Sequence, residues 1–292
     1  MNRRRVLALP LVLAASGCAP ARLELPPMSE ERIKSVVILT SFTDTVHLKW
    51  TRFFTVVFSG TTEDEFVKVN WGVDNHVRTR LAERLAGKCE IKTVTYNPAD
   101  LAHTERLETM PRIVERLKRV VPAGLADVII FIDGSGVPFD KLTHAEKFRA
   151  LMGTGLIGGY NPFMKGGTVA HASARCGVAI LDGRTFETLA YRAGAVARSG
   201  HDVPAPIERV PFSYAGGPWA GISEEERTQL RETTFSLLDK IVTYTFGPHV
   251  DGVDKPPDGL ATASTAEFAK LQARDAKRWN AVMARLGLPS TP

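Results

Sequence analysis

The chain has 292 residues, 44% of them apolar and 24% charged, with a formal charge of +5. These are ordinary globular proportions that allow a substantial core. Removing the first seventeen residues takes away three arginines and no acid, leaving +2, a balance that argues against a nucleic-acid surface.

Arg3, Arg4 and Arg5 form a basic n-region, and Val6 to Ala15 is an apolar run of ten residues. A permanent membrane span needs roughly 20 apolar residues, so this run is a targeting segment and is set aside from the fold. Ala15, Ser16 and Gly17 then lead into Cys18. The arrangement resembles a bacterial lipobox, with Ala15 standing where leucine is commoner. The resemblance implies that residues 1–17 are removed and that the Cys18 thiol carries a covalent lipid. An ordinary secretory signal cut near Ala19 to Ala21 is the alternative. The arginine run also resembles a twin-arginine signal, so the export route stays open. Ala19 occupies the place of the aspartate that would imply inner-membrane retention; the resemblance therefore implies the outer membrane, facing the periplasm. One acyl chain binds a membrane only marginally, whereas the several chains of a lipoprotein anchor it stably. Residues 18–32, with Pro20, Pro26 and Pro27, read as an extended tether. No second apolar run approaches spanning length.

With Cys18 lipidated, Cys89 and Cys176 remain. In an oxidising compartment they are candidates for a disulfide. The alternative is two isolated buried thiols behaving as small hydrophobes. No histidine lies near either at ligand spacing, so a metal site is not expected, and no cofactor beyond the lipid is implied.

Along the chain, residues 33–41 are a continuous apolar run of strand length, as in a strand buried on both faces. Residues 52–58 and 65–70 flank a turn-like segment and predict a hairpin. Val73, Val77, Leu81 and Leu85 mark an amphipathic helix, with Asn70 placed to cap its start and Gly87 its end. Cys89 to Val94 predicts a short strand, Leu107 to Val121 a second helical stripe, and residues 126–132 another buried strand. Residues 168–181 alternate, with Ala170, Ala172, Ala174, Cys176, Val178 and Ile180 on one face. After the turn signal Asp182 to Thr185, residues 186–197 return as a second long strand, making a long antiparallel hairpin. A helix is expected from Glu224 to about Phe246. Residues 251–264 form a Pro/Gly/Ala/Ser/Thr linker, and residues 265–292 carry a terminal helix with Phe268, Leu271, Trp279, Val282, Met283 and Leu286 on its apolar side. The fold class is α/β: a mixed sheet with amphipathic helices packed on it, over residues 33–250, plus the C-terminal helix.

This element order, and in particular the VDNHVRTRLAERL helix followed by a short strand, a helix and the ADVIIFI strand, resembles the α/β domain of envelope proteins such as the TolB N-terminal domain and the CsgG lipoproteins. The resemblance covers residues 33–246 and departs from the pattern in the 135–167 insertion and in the tail. It implies a fold and an envelope setting, not an activity.

Asp133, Ser135, Asp140 and His144 follow the strand 126–132, where α/β folds place active-site loops, and together can be drawn as a hydrolase constellation. The motif is not G-x-S-x-G, and no helix starts directly after the serine, so a polar turn is the competing reading. Residues 152–167 hold six glycines in sixteen residues but lack the Gly-Lys-Ser/Thr of a phosphate loop. Their apolar side chains, including Tyr160 and Phe163, suit a flap, a membrane-contacting loop or a partner-binding loop, as Trp219 does in a second glycine-aromatic segment. Burial over the protein's own core is the alternative for both. The seven histidines, His76 and His171 among them, are scattered with no metal pattern.

The expectation is a non-catalytic, lipid-anchored binding or assembly component of an envelope complex, with an envelope protein or another copy as partner. A periplasmic hydrolase using the 133–144 loop is the alternative. The terminal helix, through Trp279 and Met283, is expected to dock away from the central core, since the segment 265–286 carries a net +3 behind a flexible linker.

Overall fold

The computed structural model describes residues 31–53, 60–102, 110–134, 153–160, 168–193, 207–214, 216–247 and 276–289. Strand β1 (Ser35–Thr40) is an interior strand of a first sheet, its run of apolar residues covered on both faces. It pairs in parallel with β4 (Glu90–Lys92) on one side and β5 (Val128–Asp133) on the other. Antiparallel β8 (Gly177–Asp182) and β9 (Thr188–Ala193) extend the sheet, giving the order β4-β1-β5-β8-β9. Helix α1 (Val73–Leu85) lays Val73, Val77, Leu81 and Leu85 on one face, against Val36, Ile38 and Ile130. Helices α2 (Pro98–Leu101) and α3 (Met110–Val120) cover the other with Leu101, Ile113 and Leu117, against Val37, Leu39 and Ile129.

The start of α1 differs from expectation. Gly72 is the N-cap, at φ 71, and has no capping side chain. Asp44 supplies the acceptors from a distant loop, taking the N–H of Gly72 at 3.0 Å and of Val73 at 2.9 Å. Asn70 lies two residues upstream of the N-cap, too early to serve.

A second sheet has the order β10-β7-β6-β2-β3. It consists of β2 (Thr45–Phe53), β3 (Gly60–Lys68), β6 (Gly153–Tyr160), β7 (Thr168–Arg175) and β10 (Ile207–Arg209). All neighbours are antiparallel except β2 and β6. Three expectations change here. The hairpin at 52–70 begins earlier, at Thr45. The glycine-rich segment is a central strand rather than a loop over residues 153–160. A Cβ at Gly155 would lie 2.6 Å from the His47 carbonyl oxygen, and one at Gly158 would lie 2.4 Å from the Tyr214 ring, so those glycines are set by close packing. Finally, the single strand expected over 168–181 divides at Cys176: β7 belongs to the second sheet and β8 to the first. The hairpin is β8–β9, its turn closed by the Asp182 carboxylate accepting the N–H groups of Arg184 and Thr185 at 2.8 Å each.

Helix α4 (Glu224–Thr245) starts at a capping box, with Ser223 and Glu226 satisfying each other's backbone N–H. Its Leu230 enters the core of the second sheet beside Leu48, Leu156 and Ala172. Leu237, Leu238, Ile241 and Val242 enter the core of the first. A terminal helix, α5 (276–285), completes that core. Trp279, Val282, Met283 and Leu286 are all buried in it, and the Trp279 ring lies 5.8 Å from that of Phe246. The Ile33 N–H donates to the Arg285 carbonyl at 3.0 Å, and Arg285 Nε donates to the Glu31 carbonyl at 2.8 Å. The Arg192 guanidinium stacks on Tyr244 at 4.5 Å and donates to the Thr245 carbonyl at 2.9 Å, tying β9 to the end of α4.

The docking expectation for the terminal helix is therefore corrected. Its apolar stripe is spent on its own domain, since β1, α1 and α4 leave a gap that Trp279 and Met283 fill. Trp279→Ala should lower stability by about 3–5 kcal/mol, the usual cost of emptying a large aromatic site. Denaturant unfolding of the intact chain checks this; a change below about 1 kcal/mol would return the helix to the role of a detachable arm.

Candidate functional site

In doubly wound sheets, ligands bind beyond the carboxyl ends of the strands where the winding reverses. Here that point lies between β1 and β5, because β4 flanks β1 on the other side. The Ser41 hydroxyl donates to Asp133 Oδ1 at 2.8 Å and accepts the Gly134 N–H at 3.0 Å. The Ser41 N–H donates to the Ile132 carbonyl at 3.0 Å. Phe42, only 2% exposed, sits so close to Gly134 that a Cβ there would lie 2.4 Å from its ring. The crevice is thus filled by an aromatic side chain, and Asp133 ties two strand ends together. Ser135, Asp140 and His144 lie outside the described residues.

The polar groups beside the crevice are engaged with one another. Thr40 Oγ1 donates to Asp74 Oδ1 at 2.6 Å, and the Tyr96 hydroxyl donates to the same oxygen at 2.7 Å while accepting the Thr40 N–H at 2.8 Å. Arg78 Nε holds Asp74 Oδ2 at 2.9 Å. Burial, with the Asp74 charge nearby, pushes the Tyr96 phenol up. This network fastens α1 to the end of β1 and leaves no free nucleophile or base among these residues.

Cys89 and Cys176 are free thiols, which corrects the disulfide expectation. They precede β4 and β8, strands with β1 and β5 between them, so three strand spacings or about 14 Å separate them. A bridge needs Cα atoms within roughly 7 Å. They also lie at opposite ends of the sheet, Cys89 beside the start of β1 and Cys176 beside the end of β5. Burial pushes the Cys176 thiol up to about 12, with Asp133 adding to the effect, and burial also raises Cys89.

Of the aromatic residues singled out for partner binding, Trp279 is buried, as is the companion Met283, and neither can serve as an anchor. Tyr160 ends β6, Phe163 lies outside the described residues, and Trp219 is half-buried under the Arg227 guanidinium at 4.9 Å. Cys18 is likewise outside the described residues. Among the described residues no three His, Cys, Asp or Glu side chains gather as metal ligands, and no helix is long and apolar enough to cross a membrane.

An open site lies elsewhere, where α1 and α4 run side by side. A groove of about 290 Å³ opens between them, walled by Trp71, His76, Arg80, Arg231 and Phe235. Past Arg80 and Glu83 it meets a second hollow of about 450 Å³ beside Arg84, Asp239 and Thr243. The His76 ring lies flat on Phe235, 4.1 Å between centroids, and its Nε2 is 2.8 Å from Asp239 Oδ1. Arg80 Nε donates to the same oxygen at 3.1 Å, and its Nη1 donates to Glu83 Oε2 at 3.1 Å. The Arg231 guanidinium lies 5.3 Å from the Phe235 centroid and meets no carboxylate among the described residues. His76 was legible only as a helical residue beside the inner stripe. Its partners on α4 could have been found from Arg227, Arg231, Phe235 and Asp239, which recur every four residues along one side of the helix.

A different histidine responds to burial. His47, on β2, lies flat on Phe66 at 4.3 Å, and burial together with Lys49 pulls its pKa down to about 4. No family model, curated protein or solved structure matches the chain.

Two measurements follow. A chain carrying Cys18→Ser should yield two titratable thiols when unfolded without reductant and react only slowly when native; fewer than two would restore the bridge. For His47, the unfolded chain takes up a proton near 6.5 and the folded chain only near 4. Stability should therefore fall as pH drops through that window, by about 3 kcal/mol from this residue. His47→Gln should flatten the slope of unfolding free energy against pH, and an unchanged slope would remove His47 as its source.

Proposed function

We propose that the chain is a lipoprotein held in the outer membrane by a lipid on Cys18, facing the periplasm. Its α/β body acts as a non-catalytic binding or assembly component of an envelope complex, engaging an envelope protein or another copy of itself. The anchor rests on the basic, apolar and small-residue sequence that leads to Cys18. The element order resembling envelope α/β domains agrees with it.

The observation that favours binding over hydrolysis is the fate of the crevice at β1 and β5. Phe42 occupies it and Ser41 holds Asp133, so the one described member of the hydrolase constellation is already committed to structure. The groove between α1 and α4 stays open and carries both charge and aromatic surface, the usual composition of a recognition site.

Cys18→Ser should move the protein from the membrane fraction to the soluble fraction and abolish lipid labelling. Membrane association unchanged by the substitution, with no lipid on the unsubstituted protein, would sink the anchor. Ser135→Ala and His144→Ala should each leave the cellular phenotype intact; loss in both, with the melting profile preserved, would favour the hydrolase.

A further inference from the structure

We propose that the groove between α1 and α4 binds an N-acetylated sugar bearing a carboxylate, the chemistry of the cell-wall glycan in the periplasm; this rests on the envelope reading above. Three features of the groove select that class. The first is a cation that no carboxylate holds among the described residues. Arg231 faces the groove with its guanidinium over Phe235 and no acidic partner among the described residues. Arg80, by contrast, is held by Asp239 and Glu83. A planar guanidinium with free N–H donors is the side chain best suited to take a carboxylate in a bidentate manner.

The second feature is aromatic. Trp71 lines the same hollow, half-buried, with Trp219 behind it at 6.3 Å between ring centroids. A supported indole offers a flat apolar platform for the C–H face of a pyranose while leaving the hydroxyls free to reach solvent or polar groups. The third is a neutral hydrogen-bonding edge. Asn75 and Thr79 stand one turn apart on α1, line the groove, are exposed, and have no side-chain partner among the described residues. An amide and a hydroxyl at that spacing suit an N-acetyl group and ring hydroxyls.

Size agrees with the chemistry. The hollow of about 290 Å³ stands at the lower end of the roughly 300–1,000 Å³ usual for small-ligand sites. It suits one sugar, and the neighbouring hollow past Arg80 leaves room for the chain to continue. An acidic sugar is favoured over a neutral one because Asp239 and Glu83 are both engaged by Arg80, while among the described residues no carboxylate holds Arg231.

The test uses the full chain carrying Cys18→Ser, titrated with N-acetylmuramic acid and with N-acetylglucosamine, which differ by the lactyl carboxylate. Binding is read by tryptophan fluorescence and by calorimetry. The acidic sugar should bind saturably and at least tenfold more tightly than the neutral one. Arg231→Gln should erase that preference, and Trp71→Ala should weaken both sugars alike. Lys118→Gln, on α3 at the opposite face of the first sheet, should change neither. Equal affinity for the two sugars, no saturable binding, or a preference that survives Arg231→Gln would overturn the assignment. Melting curves for each variant separate loss of binding from loss of fold. Failure of binding with lipid labelling of Cys18 intact would count against the groove alone. Binding without lipid labelling would count against the anchor alone.

Discussion

The architecture depends on how the chain passes from one sheet to the other beside the ends of β1 and β5. It leaves β1 through Ser41 and Phe42 to begin β2, leaves β5 at Gly134, and returns from β7 to β8 through Cys176. These passages crowd together, and the contacts between them are close. Phe42 fills the space over Gly134, and Ser41 satisfies both the Asp133 carboxylate and the Gly134 N–H. The buried Ser41 hydroxyl is tolerated here because it has partners, the half-buried Asp133 carboxylate among them; left alone, such a hydroxyl would cost on the order of 1–3 kcal/mol. A Cβ at Gly134 would force Phe42 away and open the seam on which both sheets rely.

Helix α4 carries that join to the rest of the molecule. At 22 residues it is about 33 Å long, enough to serve two cores in succession. Leu230 belongs to one core, while Leu237, Leu238 and Ile241 belong to the other. Its far end is held by Arg192 and covered by Trp279, so the terminal helix and β9 stabilise the same end of one rod. The N-terminal end gains from the capping box and from three acidic residues in the first turn, which complement the positive pole of the helix.

Elements with one simple periodicity were legible in the sequence. The apolar runs of β1 and β5 and the four-residue stripe of α1 each express a single burial pattern. What escaped were positions where two constraints met. The segment 153–160 reads as a loop because close packing replaces side chains with glycine at Gly155 and Gly158. The alternation of residues 168–181 continues through Cys176 because Ala174, Cys176 and Val178 all enter the same core, even though the strand changes sheets between them. Asp44 caps α1 from 29 positions away, and His76 meets Asp239 from 163 away; no local window contains either pair. The terminal helix misled in another way. Its basic surface and flexible approach suggested an independent arm, but its stripe of Trp279, Val282, Met283 and Leu286 is as apolar as a core demands.

The same geometry explains why the open groove lies between helices and not at the strand ends. An open α/β sheet ordinarily keeps the carboxyl ends of its strands free for ligands, since loops there can vary without disturbing the core. In this protein those ends are occupied by the joining of two sheets, and a change that freed Asp133 would also unfasten β1 from β5. The α1–α4 face is under no such restraint. Its inward residues, Val77, Leu81, Leu237 and Ile241, hold the core, while His76, Arg80, Arg231 and Asp239 stand a step around each helix. The partition lets the outer stripe change its charge without altering the packed one. The His76–Asp239–Arg80 set crosslinks the two helices and holds the walls of the groove at a fixed separation, the preorganisation that the proposed ligand would meet.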